Sequence, residues 1–302
     1  SAYLNQNALF DKHHVPIDRL INPEQVVTEQ IAELLSHPGA LEVLDFADGR
    51  AQLVAMRAYL GGPLVGQALR FLSEHMPSVD TRVAAIFRRG QPIIPSGDTV
   101  IETDDEVFFI AAREHITAVM GELRKAEKPF RRVIIAGGGN IGARLAAATE
   151  NNYDVRIMEL NPQRAQNLAD QLSSAVVING GATDRELLLV ENIDQCDAFC
   201  AVTDDDEINV MSSLMAKRLG VRQVITLIGK TAYVDLVQGG EIDVAISPQQ
   251  ATIGTLLSYV RRADVARVHS LRRGAAEAIE AIAHGDRKSS KVVGRRISEI
   301  KL

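Results

Sequence analysis

Residues Val133 to Gly142 read V-I-I-A-G-G-G-N-I-G, an apolar run that passes straight into G-x-G-x-x-G at Gly137, Gly139 and Gly142. A second apolar run, Asp154 to Met158, ends in Glu159, which lies 159 − 137 = 22 residues beyond the first glycine. Strand, glycine turn, helix, strand and acid in that order form a dinucleotide-binding fingerprint, whose acid follows the first glycine by roughly 20 residues. Each glycine has its own reason. Gly137 lets the chain turn tightly where a Cβ would be strained. Gly139 leaves room for a pyrophosphate, and Gly142 lets the following helix lie close on the sheet. That helix, from Asn140, aims free N–H groups and its positive dipole end at the phosphates. A Glu159 carboxylate can accept both adenosine ribose hydroxyls and repels a 2′-phosphate. This favours NAD(H), or another adenine nucleotide with a free ribose diol, over NADP. The plainer alternative is a glycine-rich turn and a strand-end acid with no ligand.

From residue 133 the pattern alternates between short apolar strands and helices. Strands are expected at 133–136, 154–159, 175–179, 197–202, 222–228 and 242–246, with helices at 140–151, 162–173, 184–192, 205–219 and 231–238. This predicts an α/β class: a doubly wound, parallel Rossmann-type sheet. A further helix, 248–262, leaves that sheet for strands at 265–271 and 276–283, the start of a small α+β C-terminal lobe. Upstream, a helix, a strand at 15–21 and a helix at 23–36 come first. Asn22 caps that last helix and Pro23 opens it. Strands at 40–47 and 52–59 flank Asp48-Gly49, a hairpin signal. A helix at 64–75, strands at 82–88, 91–94 and 106–112, and a helix from 113 to about 125 complete an earlier α+β lobe. Residues 125–132 read as a linker.

Two distant stretches resemble each other. Ser1 to Leu4 aligns with Thr231 to Val234, an offset of 230. Ile17 to Gln25 aligns with Ile242 to Gln250, an offset of 225, and Leu64-Val65-Gly66 with Val292-Val293-Gly294, an offset of 228. Three matches in order indicate a tandem duplication, far longer than solenoid repeats. The chain starts inside one unit and stops inside the next. It is therefore expected to be a fragment, with a missing N-terminal part that carries its own nucleotide lobe. The organisation expected is 1–37, the end of a first nucleotide lobe; 38–128, the first α+β lobe; 129–262, the second nucleotide-binding lobe; and 263–302, the start of the second α+β lobe.

Some function classes are disfavoured. The net charge of −6 over 302 residues gives no broad nucleic-acid footprint. No apolar run approaches the roughly 20 residues that span a bilayer, and no signal peptide is present, so any membrane role is peripheral. Cys196 and Cys200 suggest a reducing compartment. Cys200 reads as a small buried hydrophobe, with a redox pair as the alternative. His13 and His14 are adjacent and read as loop residues, not as a metal pair. No catalytic acid or base stands out: there is no Tyr-x-x-x-Lys pair, and no histidine follows the sheet strands. Ligands in such sheets lie beyond the carboxyl ends of the strands, so Thr203 and Asp204 are expected to line the groove. Asp204 is also expected to cap the next helix, with Glu207 completing a capping box. The acids between them face away or meet a cation.

These strings carry a resemblance. Asp80 to Phe87, Tyr233 to Gly239, Ser247 to Ile253 and His269 to Gly274, together with the glycine turn, resemble the peripheral subunit of bacterial Trk potassium-uptake systems, a family built of two tandem RCK units. The resemblance spans nearly the whole chain and implies tandem RCK units cut out of phase. It implies a cytoplasmic protein on the inner face of the membrane that binds NAD(H) or another adenine nucleotide. It further implies self-association into a gating ring beneath an integral-membrane potassium-translocating subunit, and no enzymatic activity. Carried over by position, the nucleotide site is Gly137, Gly138, Gly139, Asn140, Ile141, Gly142, Glu159, Thr203 and Asp204. Gly181 stands where relatives often have a polar residue. Asn140 stands where some relatives that sense ATP have arginine, which favours NAD(H) over ATP or ADP. An NAD-dependent oxidoreductase and an assembly subunit with a vestigial site remain the alternatives.

Overall fold

The computed structural model describes residues 21–124, 128–230, 233–234, 237, 240–260, 265–272, 275–296 and 299–300. Most of the strand expected at 15–21, the helix before it, the His13-His14 pair and most of the helix expected at 231–238 lie outside them.

The chain first forms an antiparallel lobe. Helix α1 (Pro23–Ser36) opens on Asn22, whose side chain accepts from the Glu24 N–H, and buries Val27, Ile31, Leu34 and Leu35. This i, i+4, i+7, i+8 spacing makes one apolar stripe. Strands β1 (Ala40–Phe46), β2 (Ala51–Arg57), β3 (Thr81–Arg88), β4 (Gln91–Ile93) and β5 (Glu106–Ala112) form a sheet in the order β1-β2-β5-β3-β4. The β1–β2 turn takes positive φ at Ala47, Asp48 and Gly49.

Two helices here are shorter than the sequence pattern suggests. Over the expected 64–75, only a 3-10 turn at Leu69–Phe71 and helix α2 (Leu72–His75) form. The reason is competition for backbone groups. Gly66 has φ +85, its N–H donates to Ile101, and the Leu69 N–H donates to Thr99. Likewise α3 (Ile116–Gly121) stops early because the carbonyls of Glu122 and Leu123 accept from Leu64 and Tyr59.

The second sheet is fully parallel. Its strands are β6 (Arg132–Ala136), β7 (Asp154–Glu159), β8 (Val176–Asn179), β9 (Ala198–Ala201), β10 (Gln223–Leu227) and β11 (Val244–Ile246). Their order is β8-β7-β6-β9-β10-β11, so the chain doubles back between β6 and β9. Between the strands run α4 (Asn140–Thr149), α5 (Pro162–Gln171), α6 (Arg185–Val190) and α7 (Asp206–Arg218). Residues 133–136 and 198–201 are wholly buried, as expected of strands covered on both faces. Cys196 and Cys200 lie in this core as free thiols, and burial pushes the Cys196 thiol up to about 12.

Helix α8 (Pro248–Val260) leads to the hairpin β12 (Val265–Leu271) and β13 (Ala276–Ala281). The two hairpins share one irregularity. The β1–β2 pair carries a bulge between Ala40 and Glu42, and the β12–β13 pair carries one between Val265 and Arg267. Both positions differ by 225, the offset read from the flanking sequence. The two hairpins meet: Leu271 joins the cluster of Phe46, Leu53, Ala55, Phe87 and Phe108. The two lobes are tied by the buried Gln223 amide, which accepts from the Gly39 N–H and donates to the Ala40 carbonyl.

Candidate nucleotide-binding site

The carboxyl ends of β6 and β9 meet at the point where strand order reverses, and Gly137 and Thr203 follow them. Gly137 has φ +108, and a Cβ there would lie 2.8 Å from the Thr203 nitrogen. A Cβ on Gly142 would overlap the Gly137 carbonyl oxygen. Both positions therefore demand glycine, one for the turn and one for the seating of α4 against it. Gly139 differs: it has φ −71, and a Cβ there would meet nothing within 4 Å. Gly139 is also the N-cap of α4, and no side chain caps that helix. The first N–H groups of α4 thus lack a side-chain acceptor. Ile141 packs on the core, while Asn140 is exposed and donates to Glu24 of α1 at 2.8 Å.

Glu159 ends β7 beside this turn and is only 5% exposed. Its Oε2 accepts from the Gly138 N–H at 3.0 Å and its Oε1 from the Asn161 N–H at 2.7 Å. Arg164 Nη2 lies 3.2 Å from Oε1. A Cβ on Gly138 would run into Leu168 and sit 2.9 Å from Glu159 Oε2. The fold thus gathers Gly137 to Gly142, Glu159 and Thr203 around one bend.

On the β9 side the buried Asn209 amide holds Thr203. Asn209 Oδ1 accepts from the Thr203 N–H at 2.9 Å and from its hydroxyl at 2.7 Å, and Nδ2 donates to the carbonyls of Thr203 and Leu227. The expected capping box is corrected here. The cap of α7 is Asp205, not Asp204; its carboxylate accepts from the Ile208 N–H at 2.9 Å. The Asp205 N–H turns back to the Thr203 hydroxyl, which delays the helix by one residue. Asp206 accepts from the N–H groups of Gly229 and Lys230 at 2.7 and 2.8 Å. Glu207 accepts from Lys230 Nζ and the Tyr233 hydroxyl, which holds its carboxyl down at about 2. Asp204 itself is exposed. Among the described residues, no group of three or more His, Cys, Asp or Glu could hold a metal ion.

Comparison with known proteins bears on this arrangement. The TrkA-N domain family matches residues 133–248 and the TrkA-C domain family matches residues 53–124. The Trk system potassium uptake protein TrkA of Halomonas elongata is 65% identical over 302 residues, covering 100% of this chain and 66% of that protein. TrkA of Haemophilus influenzae is 49% identical, with the same shares of 100% and 66%. A Methanosarcina mazei protein named Trk system potassium uptake protein trkA homolog 1 is 32% identical, covering 95% of this chain and 70% of that protein. The chain belongs to the TrkA family.

It spans a little under two thirds of the length of its Halomonas and Haemophilus relatives. These relatives are named as uptake proteins, not as enzymes. The crystal structure of the GsuK RCK domain superposes with a TM-score of 0.55 at 16% identity, covering 79% of this chain and 50% of that one. The structure described as the GsuK channel bound to NAD gives 0.53 at 17% identity, covering 83% and 44%. This TrkA-family chain therefore has the RCK fold, with its Rossmann-type sheet. Sequence reasoning placed Asp206 and Asn209 after the fourth strand of the parallel sheet without assigning either a role, and it did not find Arg164. The one signal for Arg164 in the sequence was its placement just after β7, at the carboxyl edge. At Gly181 there is no polar side chain to add. Instead the Asn179 amide closes that corner by donating to the carbonyls of Glu159 and Leu160.

Proposed function

We propose that this chain reads an adenine nucleotide, NAD(H) first and ATP or ADP second, as part of the cytoplasmic regulatory subunit of a potassium-uptake system. One observation carries the reading: α4 starts at an uncapped glycine with open space above it, and a buried carboxylate stands at the neighbouring strand end. A pyrophosphate laid over Gly139 would meet no side chain. It would take up N–H groups that no side chain satisfies. Glu159 would receive a ribose hydroxyl, and Thr203, with Asp204 at its rim, would form the far wall. The nicotinamide of a bound NAD(H) would serve here as a recognition group.

The remaining steps belong to the same proposal. The intact protein would lie on the inner face of the membrane, self-associate into a ring, and contact an integral-membrane potassium-translocating subunit. Among the described residues no helix is long and apolar enough to cross a membrane. The relatives' names and the NAD-bound GsuK channel support this reading. Nucleotide can gate transport only by binding two states of the ring unequally. The contact between Asn140 and Glu24 gives a route, since α1 leads directly into the other lobe.

The test is direct. Saturating NADH should stabilise the purified chain by about 2.7 kcal/mol at 100 times its dissociation constant. A flat melting temperature with NADH, ATP and ADP alike would sink the proposal. Turnover of NADH with a small substrate would favour an oxidoreductase. Potassium uptake that survives Gly139→Asp in the full-length protein would favour a vestigial site.

A further inference from the structure

We propose that Arg164 sets how this site treats the adenosine 2′ position, and that it makes the discrimination weak: the site takes NADPH nearly as well as NADH. The inference rests on the nucleotide site proposed above. A lone strand-end carboxylate rejects a 2′-phosphate by charge. Glu159 is not alone.

A carboxylate offers about four lone-pair positions. Two are taken by backbone N–H groups here. The Gly138 N–H takes one on Oε2 and the Asn161 N–H one on Oε1, while Arg164 Nη2 lies 3.2 Å from Oε1 as an ion pair. The two backbone bonds belong to the glycine turn and to the start of α5, so they stay. One position remains on each oxygen for the ribose hydroxyls, with Arg164 beside that on Oε1.

Arg164 is placed to serve either ligand. Glu159 is almost wholly buried, whereas the Arg164 side chain is 57% exposed. The Asn161 side chain accepts from the Arg164 N–H at 3.0 Å, which fixes the arginine backbone in the first turn of α5. The guanidinium therefore stands at the rim of the ribose end on a fixed root, with a free tip. With Glu159 it forms a pair of zero net charge, so a 2′-phosphate meets no uncompensated anion. Turned outward, the guanidinium presents the planar fork that suits a phosphate. Arg164 thus has one partner for each ligand: Glu159 when the 2′ group is a hydroxyl, the phosphate when it is not.

The experiment titrates the purified chain with NADH and with NADPH, following nicotinamide fluorescence. In the wild type the two dissociation constants are expected within about tenfold of each other, the worth of one charge-assisted hydrogen bond. Arg164→Gln should weaken NADPH by at least about tenfold and NADH by less than about threefold. Arg164→Lys should restore part of the NADPH affinity, because the charge returns without the fork. A wild-type preference for NADH beyond tenfold overturns the inference. So does an Arg164→Gln variant that loses both ligands equally, since the arginine would then only hold Glu159 in place. If the wild type binds neither ligand, the proposed function falls and takes this inference with it; a bound pair with the wrong ratio defeats the inference alone.

Discussion

Helices α4 and α7 leave the same edge of the same parallel sheet, one after β6 and the other after β9, yet their N-termini are opposites. The cap of α4 is Gly139, with no side chain and open space above it. The cap of α7 is Asp205, and both acids of its first turn are engaged: Asp206 by the backbone after β10, Glu207 by Lys230 and Tyr233. Every helix start carries unpaired N–H groups and a partial positive charge. What separates a structural joint from an anion site is whether the protein has already supplied the acceptor. Here it has done so at α7 and withheld it at α4.

The contrast can be broken outright at Gly142. Gly142→Ala drives a methyl into the Gly137 carbonyl, which is backbone and cannot step aside. Loss of about 3 kcal/mol or more in chemical denaturation is expected, with loss of NADH binding. Gly139→Asp turns α4 into a second α7. Its Cβ meets nothing, and aspartate is a slightly better cap than glycine, so stability should hold or rise by a few tenths of a kcal/mol. NADH affinity should fall by at least about 100-fold in a fluorescence titration, because a fixed carboxylate replaces the phosphate.

Smaller changes sharpen the α7 side. Asp206→Ala releases two backbone N–H groups and should cost about 2 kcal/mol by urea unfolding, with NADH binding intact. Asp205→Ala removes the cap alone and should cost about 1 kcal/mol. Glu207→Gln should have the smallest effect. The folded pKa of Glu207 lies at about 2, below its ordinary value of 4.5, so its contribution is full above pH 4.5 and fades as pH falls toward 2. The melting temperatures of wild type and Glu207→Gln should therefore differ at pH 7 and converge across that acid range. A gap that instead widened on acidification would contradict the assignment.

Much of this was legible in the sequence. Short apolar strands alternating with helices allow little besides a parallel sheet covered on both faces, and the structure has one. The Asn22-Pro23 start of α1 and the Asn161-Pro162 start of α5 stand where the residues put them, because a cap followed by proline is a local device. The two β-bulges are separated by the same 225 residues as the matching stretches Ile17 to Gln25 and Ile242 to Gln250. Less legible were features that depend on a distant partner. Residues 64–68 carry a helical apolar pattern but hand their backbone groups to residues 99–101. The α7 cap slipped from Asp204 to Asp205 because Thr203, held by the buried Asn209, pulls the chain back for one more residue.

Sequence alone settled where the glycines fall, which acid follows them, and that a helix must begin between them, since each depends on neighbours within one turn. Tertiary structure alone decided which helix start stays open, which backbone N–H groups Glu159 accepts from, and that an arginine pairs with it. Those outcomes turn on groups from different strands coming within 3 Å or so of one another, and hydrogen-bond energy falls away steeply beyond that range.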